Sequence, residues 1–375
     1  MKRKYLFLMT TSEMAGGQRL QLDYFRFIDY EKYSVTFALS DDIFSSVLQK
    51  EELPVEVVHL PLLSPEDSFL KKFVKYYKYL RKIKPEVVVF NQFSLESFKL
   101  PELFAAFIIT KGNVYMMIHS FPESSKKERI SQRLLAYLPK YSITVSKALR
   151  ESLIKNQKFP KRKVKYSHHG IDINKFTPSK ESRSRVRKDL GILDSDTLIV
   201  STARFSPRKN LDRLVSAFND LAQERDDVQL LFVGAGRKYA EIVELVDSLE
   251  EGIKSRVKFL GFQEDVASVL QACDIFVLPS DFEGLSLACL EAMACGLICV
   301  VTNSGGPLDI INDGQNGFIV SRSAQGVLNG LKAVFNLSEK EWNAISMNAR
   351  ACVADNFDLK NNIQSGLRLL GIEGC

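Results

Sequence analysis

The chain has 375 residues and a mass of 42.4 kDa, more than the ~100 to 200 residues of one ordinary domain, so two domains are expected. Its 45% hydrophobic and 26% charged residues, without a low-complexity tract, exclude disordered, collagenous and disulfide-scaffold classes. The net charge of +6 divides unevenly: residues 1–175 carry 30 Lys/Arg against 18 Asp/Glu (+12), and residues 176–375 carry 21 against 27 (−6). A basic half suits an anionic partner such as a membrane surface, nucleic acid or acidic polymer, and two ordinary solvated surfaces fit the counts equally well.

At the amino terminus, Lys2-Arg3-Lys4 before Tyr5–Met9 imitates a signal peptide, but five apolar residues fall short of the ~7 to 15 required, so the run reads as a first buried strand. No uncharged apolar run approaches the ~18 to 20 residues that span a bilayer, and an integral membrane protein is not expected. Further strand candidates in the first half are 34–39, 55–60, 87–90, 114–119, 143–145 and 164–167, alternating with segments of helical period as in parallel βαβ units.

Between these, Gly16-Gly17 precedes a candidate helix from Gln18. Without side chains there, backbone amides can approach an anion at the helix start, or simply make a tight turn. Phe69, Leu70, Phe73, Val74, Tyr77 and Leu80 repeat with helical period, opposed by Lys71, Lys72, Lys75, Lys78 and Lys82. This amphipathic helix with a basic face either docks at anionic headgroups or packs on the sheet with its lysines in water. His119 ends a strand, and Lys126, Lys127, Arg129 and Arg133 add a second basic stretch. No nucleic-acid-binding motif accompanies the charge, so nucleic acid is not an expected partner.

Residues 169–178, His169-Gly170-Ile171-Asp172 through Phe176-Thr177-Pro178, carry turn formers and read as an interdomain linker. Alternation resumes with candidate strands 198–203, 229–233, 257–260, 275–278, 298–302 and 318–320. The fold class expected is α/β, with two doubly wound sheets in tandem. Asp194-Ser195-Asp196 resembles a metal motif but precedes a strand and reads as a turn. After 198–203, Ser206 as cap and Pro207 at the first helical position mark a helix start flanked by Arg204 and Lys209, where a diphosphate would meet two cations and a positive dipole end. Gly234-Ala235-Gly236 and Gly261 close other strands, as structural turns or as places of close approach to a ligand.

The segment 280–296, Ser280-Asp281-Phe282-Glu283-Gly284-Leu285-Ser286-Leu287 onward, carries the sharpest signal. A helix expected from near Gly284 presents Leu, Ala, Cys and Met, yet Glu291 is embedded in it; a lone buried carboxylate needs a cation or hydroxyl donors. Eight helical residues rise ~12 Å, enough for one carboxylate to hold a sugar's hydroxyls while the other holds a ribose's. Six cysteines, all beyond residue 270, form no C-x-x-C pair and favour reduced, buried thiols in a cytosolic protein. Four histidines show no metal spacing, so neither a protein-held metal nor another cofactor is expected.

Together, Gly16-Gly17, Arg204 with Lys209, Glu283 eight residues before Glu291, and the linker resemble the retaining glycosyltransferases of family four, within glycosyltransferase group 1, which have the GT-B fold. The linker is similar to that family's N-G-I-D-x-x-x-F-x-P, with His169 where Asn is usual. The resemblance covers residues 143–320 well; before them only Gly16-Gly17 and His119 match. It implies two Rossmann-like domains facing across a cleft: 1–175 binding the sugar acceptor, 176–355 binding the nucleotide-sugar donor, and a terminal helix at 356–375 returning to the first.

By this resemblance Glu283, Arg204, Lys209 and His119 are the catalytic group. Gly16, Gly17, Gly284, Leu285, Ser286, Leu287 and Glu291 bind the donor, a UDP- or GDP-sugar. The acceptor is a glycan or lipid-linked glycan of the cell envelope, met in the cytoplasm or at the inner membrane face. A nucleotide-sugar epimerase of the same fold, or a non-catalytic nucleotide-sugar-binding protein, is the alternative.

Overall fold

Each β-branched or aromatic run singled out above forms a strand, within two residues of its expected ends, in the computed structural model, which describes residues 2–9, 16–39, 43–61, 66–92, 100–121 and 136–373. Two units are distinguished, Met1–His169 with Lys360–Cys375, and Gly170–Leu359.

The first unit's sheet contains β1 (Arg3–Met9), β2 (Tyr33–Leu39), β3 (Val55–His59), β4 (Val87–Gln92), β5 (Val114–Ile118), β6 (Tyr141–Thr144) and β7 (Val164–Tyr166). All pairings are parallel, in the order β3-β2-β1-β4-β5-β6-β7. Phe7 on β1 sits opposite Phe37 on β2 and Val89 on β4. Phe25, from the helix Gly16–Arg26, meets the Phe7 and Phe37 rings edge-on at 5.3 and 5.1 Å, which anchors that helix on the sheet.

The second unit's sheet contains β8 (Thr197–Thr202), β9 (Val228–Val233), β10 (Val257–Phe259), β11 (Ile275–Leu278), β12 (Ile298–Thr302) and β13 (Phe318–Val320), also parallel, in the order β10-β9-β8-β11-β12-β13. Every residue of β11 and β12 is buried, because helices cover both faces of a parallel sheet; hence their continuous apolar runs. In each unit the strand order reverses once, between β1 and β4 and between β8 and β11. Loops leaving the carboxyl ends there diverge to opposite faces and open a crevice for a ligand.

From Gly170 onward, the stretch expected as a linker belongs to the second unit. Ile171 pairs with Asp358 as an isolated bridge, its amide donating to the Phe357 carbonyl (2.9 Å), and Phe176 is buried. The helix Leu359–Leu369 lies, from Lys360, with the first unit, where Ile363 and Leu367 are buried and the Tyr5 hydroxyl donates to the Leu370 and Gly371 carbonyls (3.2 and 2.9 Å).

Two smaller expectations can be placed. Asp194-Ser195-Asp196 folds over the buried Arg187, whose guanidinium donates to the Leu193 and Asp196 carbonyls (2.6 and 2.5 Å) and to the Asp274 carboxylate (3.3 Å). Those bonds make it a structural turn. Cys273, Cys289, Cys295 and Cys299 are buried free thiols; burial first, and the Glu291 charge second, push the Cys295 pKa up to about 12.

Candidate functional site

At the second unit's switch point, β8 ends at Thr202 and the chain continues through Ala203, Arg204 and Phe205. Phe205 is buried against Phe232, Tyr239 and Phe259, which leaves its neighbour Arg204 an exposed cation at the strand's carboxyl end. Gly234 and Gly236 shape this loop. A Cβ on them would lie 2.0 Å from the Ala203 carbonyl oxygen and 2.4 Å from that of Phe205, so their close approach is to the chain itself.

The helix start expected at Ser206-Pro207 is more broken than the sequence suggests. Ser206 makes no side-chain cap bond, Pro207–Lys209 is a single 3-10 turn, and Asn210 takes a left-handed conformation (φ 45°) before the helix Leu211–Glu224 begins. Asn tolerates that backbone better than most residues. Lys209 therefore sits on a tight turn ahead of the helix.

The loop after β11 faces this turn. The Asp281 amide donates to the Arg208 carbonyl (2.9 Å), and the Arg213 guanidinium reaches the Pro279 carbonyl (3.2 Å) and the Asp281 carboxylate (2.7 Å). Lys209 Nζ meets Glu283 Oε1 at 2.6 Å, with side chains 23% and 11% exposed. Glu283 is also fixed through its backbone: its amide donates to the Ser304 carbonyl (2.8 Å) and its carbonyl accepts from the Gly306 amide (2.8 Å). A Cβ on Gly306 would lie 2.3 Å from the Gly284 carbonyl oxygen, so this crossing of two backbones requires glycine.

That crossing corrects the expected helix. Glu283 forms an isolated bridge with Gly305, residues 284 and 285 bend, and the helix is Leu287–Ala294, with Ser286 Oγ accepting from the Cys289 amide (3.2 Å). Gly284 and Leu285 are loop residues, Ser286 is the cap, and only Leu287 of the four opens the helix. Glu291 comes one turn later, buried at 6% exposure. Between the two carboxylates only Leu287 to Glu291 is helical, about 6 Å of rise, so the expected ~12 Å of continuous helix is not formed.

The arrangement has a definite chemical capacity. An ammonium has three donors and a carboxylate about four lone-pair sites, so the Lys209–Glu283 contact uses part of each. The remainder can address anionic oxygens on one side and hydroxyls on the other. The first-turn amides beyond the Ser286 cap add the positive end of a helix dipole.

In the first unit, Gly16 and Gly17 form the start of the helix Gly16–Arg26; residues 10–15, which precede it, lie outside the described residues, as do Lys126, Lys127, Arg129 and Arg133. His119 follows β5 and its Nε2 bonds Asn91 Oδ1 on β4. Asn91 Nδ2 donates to Gln21 Oε1 (2.8 Å), which turns Oδ1 towards His119 and makes Nε2 the protonated ring nitrogen. Burial, and secondarily the neighbouring His169, lower the His119 pKa to about 3, so the ring is neutral at ordinary pH. His169 itself bonds Asp23 at 3.1 Å, and this carboxylate gives the histidine a partner at the position where the linker motif usually has Asn.

Sequence reasoning missed Asn91 and Gln21, and also Asp281, Arg213 and Ser304, which set the Glu283 loop. A polar pair, Asn91-Gln92, ending an otherwise apolar strand was the available signal for the first. Among the described residues no three His, Cys, Asp or Glu side chains gather as metal ligands, and no helix is long and apolar enough to cross a membrane.

Comparison with known proteins adds to this geometry. Residues 182–351 match the family model described as glycosyl transferases group 1. The chain is 36% identical over 164 residues to the GDP-mannose-dependent monoacylated alpha-(1-6)-phosphatidylinositol monomannoside mannosyltransferase of Corynebacterium glutamicum; this is 41% of the chain and 42% of that relative, so the match spans less than half of it. It is 24% identical over 363 residues, 93% of the chain and 92% of the relative, to an Escherichia coli UDP-Gal:alpha-D-GlcNAc-diphosphoundecaprenol alpha-1,3-galactosyltransferase. The crystal structure of Anabaena HepE in complex with UDP superposes with a TM-score of 0.83 at 23% identity, covering 98% of this chain and 99% of that one. The fold, two parallel α/β sheets with helices, is that of the GT-B structural neighbours.

Proposed function

We propose that this chain, whose residues 182–351 match the group 1 glycosyl transferases, is a metal-independent, retaining glycosyltransferase of family four that moves a hexose from a UDP- or GDP-sugar to a glycan or lipid-linked glycan. The observation that carries the reading is the Lys209–Glu283 pair at the β8/β11 switch point, with Arg204 on the same loop. The named relatives support it from outside: one is called GDP-mannose-dependent, another uses UDP-Gal, and HepE was crystallised with UDP.

In this reading Lys209 and Arg204 take the diphosphate, Glu283 the hydroxyls of the donor sugar, Glu291 the ribose, and the amides of residues 284–287 assist. The bond from the anomeric carbon to the phosphate oxygen breaks, and a bond from that carbon to the acceptor hydroxyl forms. The hydroxyl proton passes to an oxygen of the departing phosphate, and the nucleoside diphosphate leaves with the bonding electrons. Negative charge grows on the leaving diphosphate, and Lys209, held by Glu283, stabilises it together with the exposed Arg204 on the same loop. Entry of the hydroxyl on the face the diphosphate leaves retains the anomeric configuration. Neither carboxylate is assigned as a nucleophile.

The first unit is assigned to the sugar acceptor, with the amides of Gly16 and Gly17 proposed to meet an anionic group and His119 proposed as a neutral hydrogen-bonding ring for a sugar. A lipid-linked acceptor would bring the enzyme to the inner face of a membrane. Thermal shift against UDP-, GDP- and ADP-sugars, followed by product analysis with chelator present, tests the whole reading. A shift with one nucleotide sugar, and transfer with retained configuration in chelator, is the expected result. Release of an isomerised sugar without an acceptor would replace the transferase with an epimerase, and metal-restored activity would remove the metal-independent claim.

A further inference from the structure

The helix Phe69–Ile83 is not the two-sided amphipathic helix its sequence suggests. Only Tyr76 and Leu80 are buried within it. Leu70, Phe69 and Val74 are 68%, 50% and 38% exposed, although a helix using its whole apolar face for packing would cover them. At about 100° per residue, with Tyr76 and Leu80 marking the core direction, Leu70 and Val74 lie about 100° to 140° away, and Lys78, Lys71, Lys82 and Lys75 follow at about 180° to 240°. Arg81, at about 120°, shares the outward apolar arc near the helix's carboxyl end, Lys72 lies on the other flank at about 300°, and Phe69, in the core direction, stays half exposed in the first turn; the outward half is thus apolar towards its amino end and basic beside and beyond it.

At the amino end of the helix, Phe69 carries the exposed apolar surface onto the neighbouring helix Leu100–Ile109. There Phe104 and Ile108, one turn apart, are 38% and 51% exposed, and the Phe104 ring meets that of Phe69 at 6.5 Å. Scattered single apolar side chains on a surface are ordinary, but a contiguous group across two helices is not. The charge beside it has one sign. Residues 69–83 contain six Lys/Arg and no Asp/Glu, and the buried carboxylate of Asp67 is shared by Lys71 and Lys75 at 2.6 and 2.8 Å.

We infer that this face seats on a bilayer rich in anionic phospholipid, with Leu70, Val74, Phe69, Phe104 and Ile108 entering the headgroup and upper acyl region and the lysine sector lying along the lipid phosphates. Charge complementarity selects this occupant: apolar and basic sectors side by side on the outward half of a helix fit a flat apolar layer edged with anions. The inference deepens the lipid-linked-acceptor reading by naming the surface that would bring the enzyme to its substrate. Its evidence does not depend on the transfer chemistry.

The test uses the full chain and sedimentation with vesicles of phosphatidylglycerol and phosphatidylcholine, against phosphatidylcholine alone. Wild type is expected to bind the anionic vesicles and to release in high salt. Leu70→Gln with Val74→Gln, and separately Lys78→Gln with Arg81→Gln and Lys82→Gln, should each weaken binding at least about tenfold, since each near-surface lysine or arginine contributes a factor of about five. Lys158→Gln with Lys161→Gln and Arg162→Gln removes the same charge from another exposed place on the unit and should change binding less than about twofold.

No vesicle binding by wild type, no loss in the two face variants, or an equal loss in the control would each overturn the proposal. Turnover of a nucleotide sugar with a water-soluble acceptor is read in parallel. Both face variants should retain it, so loss of transfer in every protein with vesicle binding intact counts against the proposed function and not against the docking face.

Discussion

Replacing Lys209 by Met separates the structural role of its contact with Glu283 from the catalytic role proposed for it. The two groups touch at 2.6 Å and are 23% and 11% exposed, so the contact lies between an exposed pair, worth at most ~1 kcal/mol, and a fully buried one whose breakage costs ~3 to 5 kcal/mol. A stability loss of about 1 to 2 kcal/mol follows, and at about 2 to 4 °C per kcal/mol for a unit of this size the melting temperature falls by about 2 to 8 °C. On the proposed mechanism, loss of this charge from beside the leaving diphosphate costs more, about 10²- to 10³-fold in turnover. In the double variant Lys209→Met with Glu283→Gln, no unpaired charge is left in the loop. Its melting temperature should recover most of the loss while turnover stays at or below that of the worse single variant. Scanning calorimetry and steady-state turnover with the nucleotide sugar found by thermal shift measure both. Recovery of turnover together with stability would refute the reasoning, because it would make the pair a structural tie between two loops.

Two further outcomes are expected. The folded-state pKa of His119 is lowered from 6.5 to about 3, so the folded protein refuses a proton that the unfolded chain accepts; stability from this group is present above 6.5 and declines as pH falls towards 3. His119→Gln should therefore flatten the fall of melting temperature on acidification, and an unchanged slope would show that the ring does not titrate as described. Gly306→Ala should displace the Glu283 loop, since its Cβ would come within 2.3 Å of the Gly284 carbonyl oxygen; turnover should drop by an order of magnitude or more, and wild-type kinetics would place Glu283's positioning elsewhere.

What the sequence disclosed, and what it hid, follows from the range of the interactions. A parallel strand covered on both faces must be a short apolar run, so β1 to β13 were legible one by one from local composition. Arg204, Lys209, Glu283 and Glu291 were legible because each interrupts or ends such a run with a charge. The start of the Leu287–Ala294 helix was not. It is delayed by backbone bonds from Glu283 to Ser304 and Gly306, some twenty residues on in sequence, and backbone bonding leaves no mark on side-chain pattern beyond a glycine that suits many turns. The same limit hid the role of Asn91, whose partners Gln21 and His119 come from other parts of the chain.

The helix Phe69–Ile83 shows a different limit. Periodicity reports that a helix has an apolar side, but it does not report how wide a stripe the neighbouring structure can cover. Here the apolar arc runs from Tyr76 and Leu80 round to Leu70 and Val74, and only its first part is buried. Net charge is similarly blind to position. The second half of the chain totals −6 yet presents Arg204 and Lys209 on one loop, whereas the +12 of the first half includes a helix that carries six cations and no acid, two of the cations sharing Asp67 just ahead of it. Local fields follow from which charges a strand end or helix face brings together, so the electrostatic expectation for a partner belongs to those elements rather than to either half as a whole.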